Sequence, residues 1–355
     1  MGKNLLLMAV SLALALVLAE GALRVAAPHL GRPYEPLLFM THAPQLDEAG
    51  AIRYAPRQAM RMAVLLSDEI EVDVRFATNN VGLVDDRDYA PGPAAQRRYA
   101  FVGDSYAAGV EGARPWIAAL RERAGIEAHA LGVGATGMLA FEKMLHSHLR
   151  AFPATDVVIV AISDDFLRPL WRPLAAGEEM RMCPAAESDA ACMRRPPTAY
   201  LMPLETPSAE LVAKARGFMA QRESDRSALR SLLRQSRVLM LARTTLRQWM
   251  LREDRSAVLE DSLAALGRVR RAYPGARIRL VHVPDRSEAA RGSYDLALRG
   301  PVESAGIEYL PVLGACHWSV ELYYPRDNHP NPSGYEALGR CVGALLGLEG
   351  AKPGR

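Results

Sequence analysis

The feature that most restricts the fold is an alternation of short apolar runs and helical stretches that begins at Tyr99. Five runs have the length and the residues of buried strands: Tyr99 to Gly103, Glu127 to Leu131, Asp156 to Ile162, Ala276 to Val283 and Ile307 to Val312. The stretches between them favour helices, at 115–124, 138–152, 256–273 and 293–305. Apolar strands connected through helices are typical of a parallel sheet covered on both faces. The sequence therefore predicts a three-layer αβα fold around a five-stranded parallel sheet.

Two segments depart from this alternation. Residues 28–95 are rich in proline and turn residues, and we expect an irregular lead-in with one strand-like run, Glu69 to Thr78. Residues 167–255 form an insertion after the third strand, which begins proline-rich and ends in helical sequence. It stands where open α/β folds bind ligands, so it is either a lid or substrate wall or a plain helical elaboration. The predicted domain spans residues 96–348 and leaves a short tail at 349–355.

The first 27 residues predict export. Lys3 precedes the stretch Leu5 to Ala19, in which Ser11 is the one polar residue. This length suits a signal peptide, and it reaches that of a spanning helix if Glu20 lies at the membrane interface. Because no strong small-residue cleavage site follows, we favour an uncleaved transmembrane anchor over a cleaved signal, with Lys3 on the cytoplasmic side.

Charge and cysteine content narrow the classes of function. A formal net charge of +3 over 355 residues does not suggest a nucleic-acid partner. Cys183 and Cys192 bracket a polar segment of the insertion and are predicted to form a disulfide. Cys316 and Cys341 form either a second disulfide or two buried thiols. No cysteine pair has C-x-x-C spacing and the histidines form no ligand cluster, so we predict neither a metal nor a cofactor.

Ser105 follows the first predicted strand directly, in the stretch "YAFVGDSYAAGV". It is either a nucleophile or the N-cap of the next helix, and as a nucleophile it needs a histidine base held by an acceptor. Asp327 and His329 are candidates, because Pro330 biases the histidine away from helical angles. Asn331-Pro332 then reads as an N-cap followed by proline at the first helical position. We therefore expect His329 on a short stiff loop.

These motifs resemble the conserved blocks of the SGNH/GDSL hydrolase superfamily, particularly its bacterial membrane-anchored, extracytoplasmic branch. Gly103-Asp104-Ser105 resembles the first block, and "LGVGATG" with Gly132 the second. Asp327-x-His329-Pro330-Asn331 with Gly334 resembles the last block, and "TNNVGLVDDRDY" (78–89) resembles the segment before the nucleophile strand. The resemblance covers roughly residues 75–348 and implies a flavodoxin-like sandwich.

The resemblance also implies roles at the site. Ser105 would be the nucleophile, His329 the general base and Asp327 its orienting acid, while the N–H groups of Ser105 and Gly132 would bind the oxyanion. A third-block asparagine normally completes the oxyanion hole, but here the segment reads "AISDDF", with Ser163 before Asp164. An ionised Asp164 would repel an oxyanion. Three alternatives follow: Asp164 is protonated by burial, Ser163 donates instead, or Asp164 binds something else.

The expected function is an exported serine esterase acting on O-acyl, for example acetyl, esters of envelope or exopolysaccharide sugars. The alternatives are an O-acyltransferase with the same triad and a non-catalytic carbohydrate-binding protein. The expected location is the bacterial inner membrane, single-pass, with the domain in the periplasm or outside the cell. Other polar residues near the predicted strand ends have either packing or substrate roles: His129, His282, His317, Trp318, Asp285 and Arg286.

Overall fold

The computed structural model describes residues 2–26, 36–66, 69–93, 97–112, 114–224, 236–239, 242 and 252–348. Its strands are β1 (Pro36–Met40), β2 (Gln45–Leu46), β3 (Ile52–Arg53), β4 (Ala59–Leu66), β5 (Glu69–Ala77), β6 (Arg98–Gly103), β7 (Glu127–Gly132), β8 (Asp156–Ala161), β9 (Trp171–Ala176), β10 (Glu179–Pro184), β11 (Ala199–Leu201), β12 (Arg277–His282) and β13 (Glu308–Pro311). The helices of these residues include α1 (Gly2–Ala26), α2 (Ser105–Ala108), α3 (Trp116–Ala124), α4 (Met138–Ala151), α5 (Asp189–Cys192), α6 (Ser208–Ser224), α7 (Arg252–Ala272), α8 (Arg286–Arg291), α9 (Arg299–Ser304) and α10 (Pro332–Leu345). Two 3₁₀ turns span Ser163–Leu167 and Val320–Leu322.

The central sheet is parallel and five-stranded, in the order β13-β12-β8-β6-β7. Counted along the chain, its strands lie in the order 2-1-3-4-5, which is the flavodoxin-like arrangement. Each predicted strand is found within one residue of its predicted ends. The predicted α/β class and the flavodoxin-like topology are therefore confirmed.

Helices cover both faces of this sheet. Successive strand side chains point to opposite faces, so Tyr99 and Phe101 pack in one core with α3 and α10. Ala100 and Val102 pack in the other core with α4 and α7. The alternation of apolar runs thus builds three layers. The predicted helix at 293–305 is wrong in part, because Gly292 ends α8 in a left-handed conformation and a separate short helix, α9, begins at Arg299.

A second, six-stranded sheet corrects the predicted irregular lead-in. Its order is β5-β4-β1-β11-β10-β9, so strands from residues 36–77 pair with strands from the insertion. The junction is a parallel pairing of β1 with β11, in which Phe39 lies opposite Tyr200. We call these six strands the accessory sheet. Its central pairing joins segments about 160 residues apart, and a local pattern of residue types does not reveal such a partner.

Both cysteine pairs are disulfides. Cys183–Cys192 lies within the accessory-sheet segment, as predicted, and Cys316–Cys341 links the loop after β13 to α10, which settles the open alternative. At the amino end, α1 is one continuous helix. Among the described residues, no helix is long and apolar enough to cross a membrane, so the structure gives no support to the predicted anchor. The tail predicted at 349–355 and much of the helical end of the insertion lie outside the described residues.

Candidate active site

Ser105 is the first residue of α2, directly beyond the carboxyl end of β6. The cap of this helix is Asp104 rather than Ser105, because the Asp104 carboxylate accepts a hydrogen bond of 2.9 Å from the Tyr106 N–H. The first N–H groups of a helix have no acceptor within it. The Ser105 N–H is therefore outside the helical ladder, and the serine hydroxyl is free of the capping role.

A short loop between the second 3₁₀ turn and α10 carries His329. The Tyr324 N–H donates to the His329 carbonyl at 3.0 Å, which closes the loop on itself. Asn331 caps α10 as predicted, since its side chain accepts from the Gly334 N–H at 3.0 Å. A Cβ at Gly334 would lie only 2.0 Å from the Leu322 carbonyl oxygen, so glycine is required for α10 to begin against this loop.

The accessory sheet also contacts this loop. The Arg326 N–H donates to the Glu71 carboxylate at 2.9 Å, and the Arg326 guanidinium pairs with Glu69 at 2.6 Å. Both glutamates belong to β5, and Arg326 immediately precedes Asp327. The lead-in therefore supports the loop that carries two of the predicted site residues.

The three predicted triad residues come together. The Ser105 Oγ lies 2.8 Å from the His329 Nε2, and the His329 Nδ1 lies 3.0 Å from each Asp327 carboxylate oxygen. Burial alone would raise the pKa of Asp327, but the hydrogen bond and charge of His329 hold it below its ordinary value. This is the arrangement of a serine hydroxyl, an imidazole base and an orienting carboxylate.

The pKa of His329 is shifted in the opposite sense to most buried histidines. Burial alone would lower it, but the carboxyl groups of Glu111, Asp327 and Asp104 together raise it to about 9. An imidazolium is therefore stabilised at this position.

Gly132 does not have the orientation predicted for an oxyanion donor. It lies opposite Gly103 in the parallel ladder, while the next residue, Val133, donates its N–H to the Gly103 carbonyl at 3.2 Å. N–H groups of successive strand residues point to alternate sides, so the Gly132 N–H points away from β6 and Ser105. A Cβ at Gly132 would lie 2.1 Å from the Ala108 backbone nitrogen. Glycine at 132 is thus explained by the close packing of α2.

The backbone beside Ser105 belongs to the turn that follows Gly132 and Val133. A Cβ at Gly134 would lie 3.8 Å from the Ser105 Cβ. Ala135 follows with φ of 61°, a left-handed conformation that is uncommon for a residue with a side chain. The Thr136 hydroxyl donates to the Val133 carbonyl at 2.6 Å and closes the turn. The second block therefore approaches Ser105 through residues 134–135.

Ser163 and Asp164 are both committed to other partners. The buried Ser163 hydroxyl donates to Glu288 and lies 3.1 Å from the His282 Nε2. The Asp164 side chain is 56% exposed and pairs with the Arg168 Nε at 2.9 Å. The Asp164 carboxylate is therefore not buried, and the Ser163 proton is engaged elsewhere. Of the three alternatives, the structure matches the one in which Asp164 binds another group.

Arg168 is a site residue that sequence reasoning missed. One of its terminal nitrogens, Nη1, lies 3.0 Å from Asp104, 2.7 Å from Asp165 and 2.8 Å from the Thr136 carbonyl. Burial raises the pKa of Asp165 well above its ordinary value, and the charge of Asp104 adds to this. Arg168 thus ties together the turn after β6, the loop after β7 and the 3₁₀ turn after β8. In the sequence, Arg168 lies four residues after Asp164, and an acidic and a basic residue at this spacing can pair on a helix. This spacing could have pointed to Arg168.

The other predicted polar residues have packing or capping roles. His282 stacks on Tyr294, with 3.8 Å between ring centroids, and the His129 Nδ1 lies 2.9 Å from the His148 Nε2. Burial lowers the pKa of His129 and of His282 to about 3, so both are neutral core histidines. Asp285 caps α8, Trp318 is buried in the core and His317 is exposed.

The fold and the site together define a flavodoxin-like α/β protein with a Ser-His-Asp arrangement at the carboxyl edge of its sheet. No family model and no curated protein matches the chain. A similar solved structure is a protein described as an acylhydrolase from Bacteroides fragilis NCTC 9343, with 13% identity over 73% of this chain and 92% of that chain and a TM-score of 0.36.

Two further similar structures carry related descriptions. A lipolytic protein of the G-D-S-L family from Desulfitobacterium hafniense DCB-2 has 11% identity over 71% of this chain and 100% of that chain, with a TM-score of 0.31. A family two carbohydrate esterase from Clostridium thermocellum, solved in complex with cellohexaose, has 11% identity over 81% of this chain and 76% of that chain, with a TM-score of 0.29. The three structures are thus described as an acylhydrolase, a lipolytic protein and a carbohydrate esterase.

Replacing Arg168 with Met should lower the free energy of unfolding by about 3 kcal/mol, because it leaves the buried carboxyl groups of Asp104 and Asp165 without their cation. Urea unfolding followed by circular dichroism measures this change. Arg172→Met is the matched control, since Arg172 pairs with Asp189, which is 70% exposed, and such a surface pair contributes about 0–1 kcal/mol. Equal decreases in the free energy of unfolding of the two variants would contradict the claim that Arg168 stabilises the buried carboxyl groups.

Proposed function

We propose that this chain is a serine-dependent carboxylic ester hydrolase that works through an acyl-enzyme. The observation that carries the proposal is the continuous contact from the Ser105 Oγ to the His329 Nε2, at 2.8 Å, and from the His329 Nδ1 to Asp327, at 3.0 Å. A serine hydroxyl is a poor nucleophile unless a positioned base removes its proton. These distances are within the range at which that transfer takes place.

In the proposed mechanism, the Ser105 Oγ attacks the ester carbonyl carbon while the His329 Nε2 takes its proton. Asp327 stabilises the imidazolium and holds its Nδ1 proton. The imidazolium then protonates the leaving alcohol, and an acyl group remains on Ser105. Water attacks this acyl group with His329 again as base, which releases the acid and restores the serine. The Ser105 N–H and the backbone of the Gly134 turn are the proposed oxyanion donors.

The proposed hydrolase lacks a side-chain amide in its oxyanion hole. Asp164 takes the place of the asparagine in the motif that the chain resembles, and it is held by Arg168 instead. Removal of one oxyanion donor costs about 10²–10³ in rate in other enzymes. We therefore expect a lower kcat than that of an enzyme with the same triad and an asparagine in its oxyanion hole.

For the substrate we propose O-acyl esters of envelope or exopolysaccharide sugars. The two disulfides support this indirectly, because disulfides form and persist in oxidising compartments outside the cytoplasm. Acylated polysaccharides of the envelope are met in those compartments.

Ser105→Ala should reduce kcat for a short-chain aryl ester by at least about 10³, because the nucleophile is removed while the rest of the site stays in place. Steady-state hydrolysis by the full chain measures this. Ser333→Ala is the control, since Ser333 is exposed in the first turn of α10 and makes no contact with the triad that the structure records. Unchanged hydrolysis by the Ser105 variant would refute the proposed mechanism.

Asp164→Asn should raise kcat by about 10-fold or more, because it replaces a carboxylate by an amide donor worth up to about 10²–10³ in rate. The same ester assay measures the gain. Asp295→Asn serves as control, because Asp295 is equally exposed, at 56%, and is also ion-paired, with Arg291. A decrease confined to the Asp164 variant would show that the carboxylate assists the reaction and would overturn this account of the oxyanion hole.

A further inference from the structure

A second carboxyl group lies against the base on the side away from Asp327. Glu111, in the loop after α2, is 2% exposed, and its Oε1 lies 3.8 Å from the His329 Nε2. Its Oε2 accepts a hydrogen bond of 2.8 Å from the Tyr335 hydroxyl. Nothing in the sequence motifs assigns a role to this residue. A buried carboxyl group is costly unless partners compensate it, so its place beside the imidazole requires an explanation.

We propose that Glu111 is a positioning residue for the reaction of Ser105: a buried acid that faces the Nε2 side of His329 and sets the pH range over which this base is free. The inference rests on the proposed function. At 3.8 Å the Glu111 oxygen is too distant for a hydrogen bond to Nε2. It therefore leaves that nitrogen to Ser105 and acts on the imidazole through its charge.

The groups around His329 come from four parts of the fold. Asp327 lies at Nδ1, Ser105 lies at Nε2, and Asp104 acts through its charge from the turn after β6. The ring of Tyr106 in α2 is tilted against the imidazole, with 5.7 Å between centroids. Glu111 supplies the largest of the effects that raise the pKa of His329. Removal of its charge should therefore lower the pKa of His329.

The surroundings of Glu111 hold it in place. The Tyr335 hydroxyl of α10 donates to one carboxylate oxygen, and the Tyr324 hydroxyl donates to the Glu111 carbonyl at 2.9 Å. The charge of Glu111 also raises the pKa of Tyr54, whose own burial is the larger cause. Burial raises the pKa of Glu111, and the charge of His329 opposes that rise. The base and this acid therefore stabilise each other in their charged forms.

The direction of the pH effect follows from these charges. The pKa of His329 is raised to about 9, so the free base is lost as the pH falls through that value, and kcat/KM falls with it. Removing the negative charge of Glu111 lowers the pKa of His329. A single charge within this distance typically shifts a pKa by about 1–3 units. The base of the variant is then free at lower pH.

The test is the pH profile of kcat/KM for the full chain with Glu111→Gln, which keeps the side-chain length and an acceptor for Tyr335. We expect the acid limb to move to lower pH by at least about 1 unit, and the activity at pH 7, relative to its plateau, to rise by about 10-fold or more. Glu336→Gln is the control, because Glu336 is next to Tyr335 in the chain but is 70% exposed and paired with Arg340. An acid limb that stays in place in the Glu111 variant overturns the proposal.

A second measurement does not depend on ester hydrolysis. Nitrogen-15 NMR of the histidine side chains reports the pKa of His329, whose signals are assigned by comparison with His329→Ala. The measurement is made on the full chain and on its Ser105→Ala variant, each with and without Glu111→Gln. A lower pKa of His329 in Glu111→Gln than in the unsubstituted chain supports the role of Glu111, whether or not the protein hydrolyses an ester. Failure of the unsubstituted chain to hydrolyse an ester would instead count against the proposed function. If Glu111→Gln fails to fold by circular dichroism, Glu111→Asp replaces it. That variant should show a smaller downward shift, and an unchanged pKa contradicts the proposal.

Discussion

The structure depends on the parallel register of its central sheet. Because all five strands run the same way, the loops that follow them gather at one edge. The turn after β6 supplies Ser105, the 3₁₀ turn after β8 supplies Asp164, and the loop before α10 returns to the same edge with His329. A single antiparallel strand would move one of these groups to the opposite edge. The contact between Ser105 and His329, residues 224 apart in the chain, is a consequence of this register.

Charged residues hold the loops and the side chains at the carboxyl edge of the central sheet. Arg168 pairs with the carboxyl groups of Asp104 and Asp165. The carboxyl groups of Glu111, Asp327 and Asp104 raise the pKa of His329 and so stabilise its imidazolium. The first group connects loops and the second raises the pKa of His329, and Asp104 belongs to both. Asp164, which stands where the motif has an asparagine, belongs to the group of carboxylates that pair with Arg168. It adds a carboxylate that Arg168 already holds.

The sequence predicted the parts that depend on local pattern. Buried strands and the Asn331 cap each have a signature within a few residues, and the structure contains them. The structure also brings Ser105, His329 and Asp327 into contact, as the resemblance implied. The accessory sheet was missed because its two halves meet where β1 pairs with β11, and these strands are about 160 residues apart in the chain. The predicted roles of Gly132 and Ser163 did not match the geometry, since peptide orientation and the partner of a hydroxyl group are set by tertiary contacts. Glu111 has no local signal at all, because its importance comes from burial beside His329.

The central claim is that Ser105 is a nucleophile activated by His329. A direct measurement is mass spectrometry of the full chain after reaction with a fluorophosphonate, which labels activated serines. The account predicts one adduct, located on the peptide that contains Ser105 and absent from the His329→Ala variant. An unlabelled Ser105, or labelling that persists without His329, would contradict it.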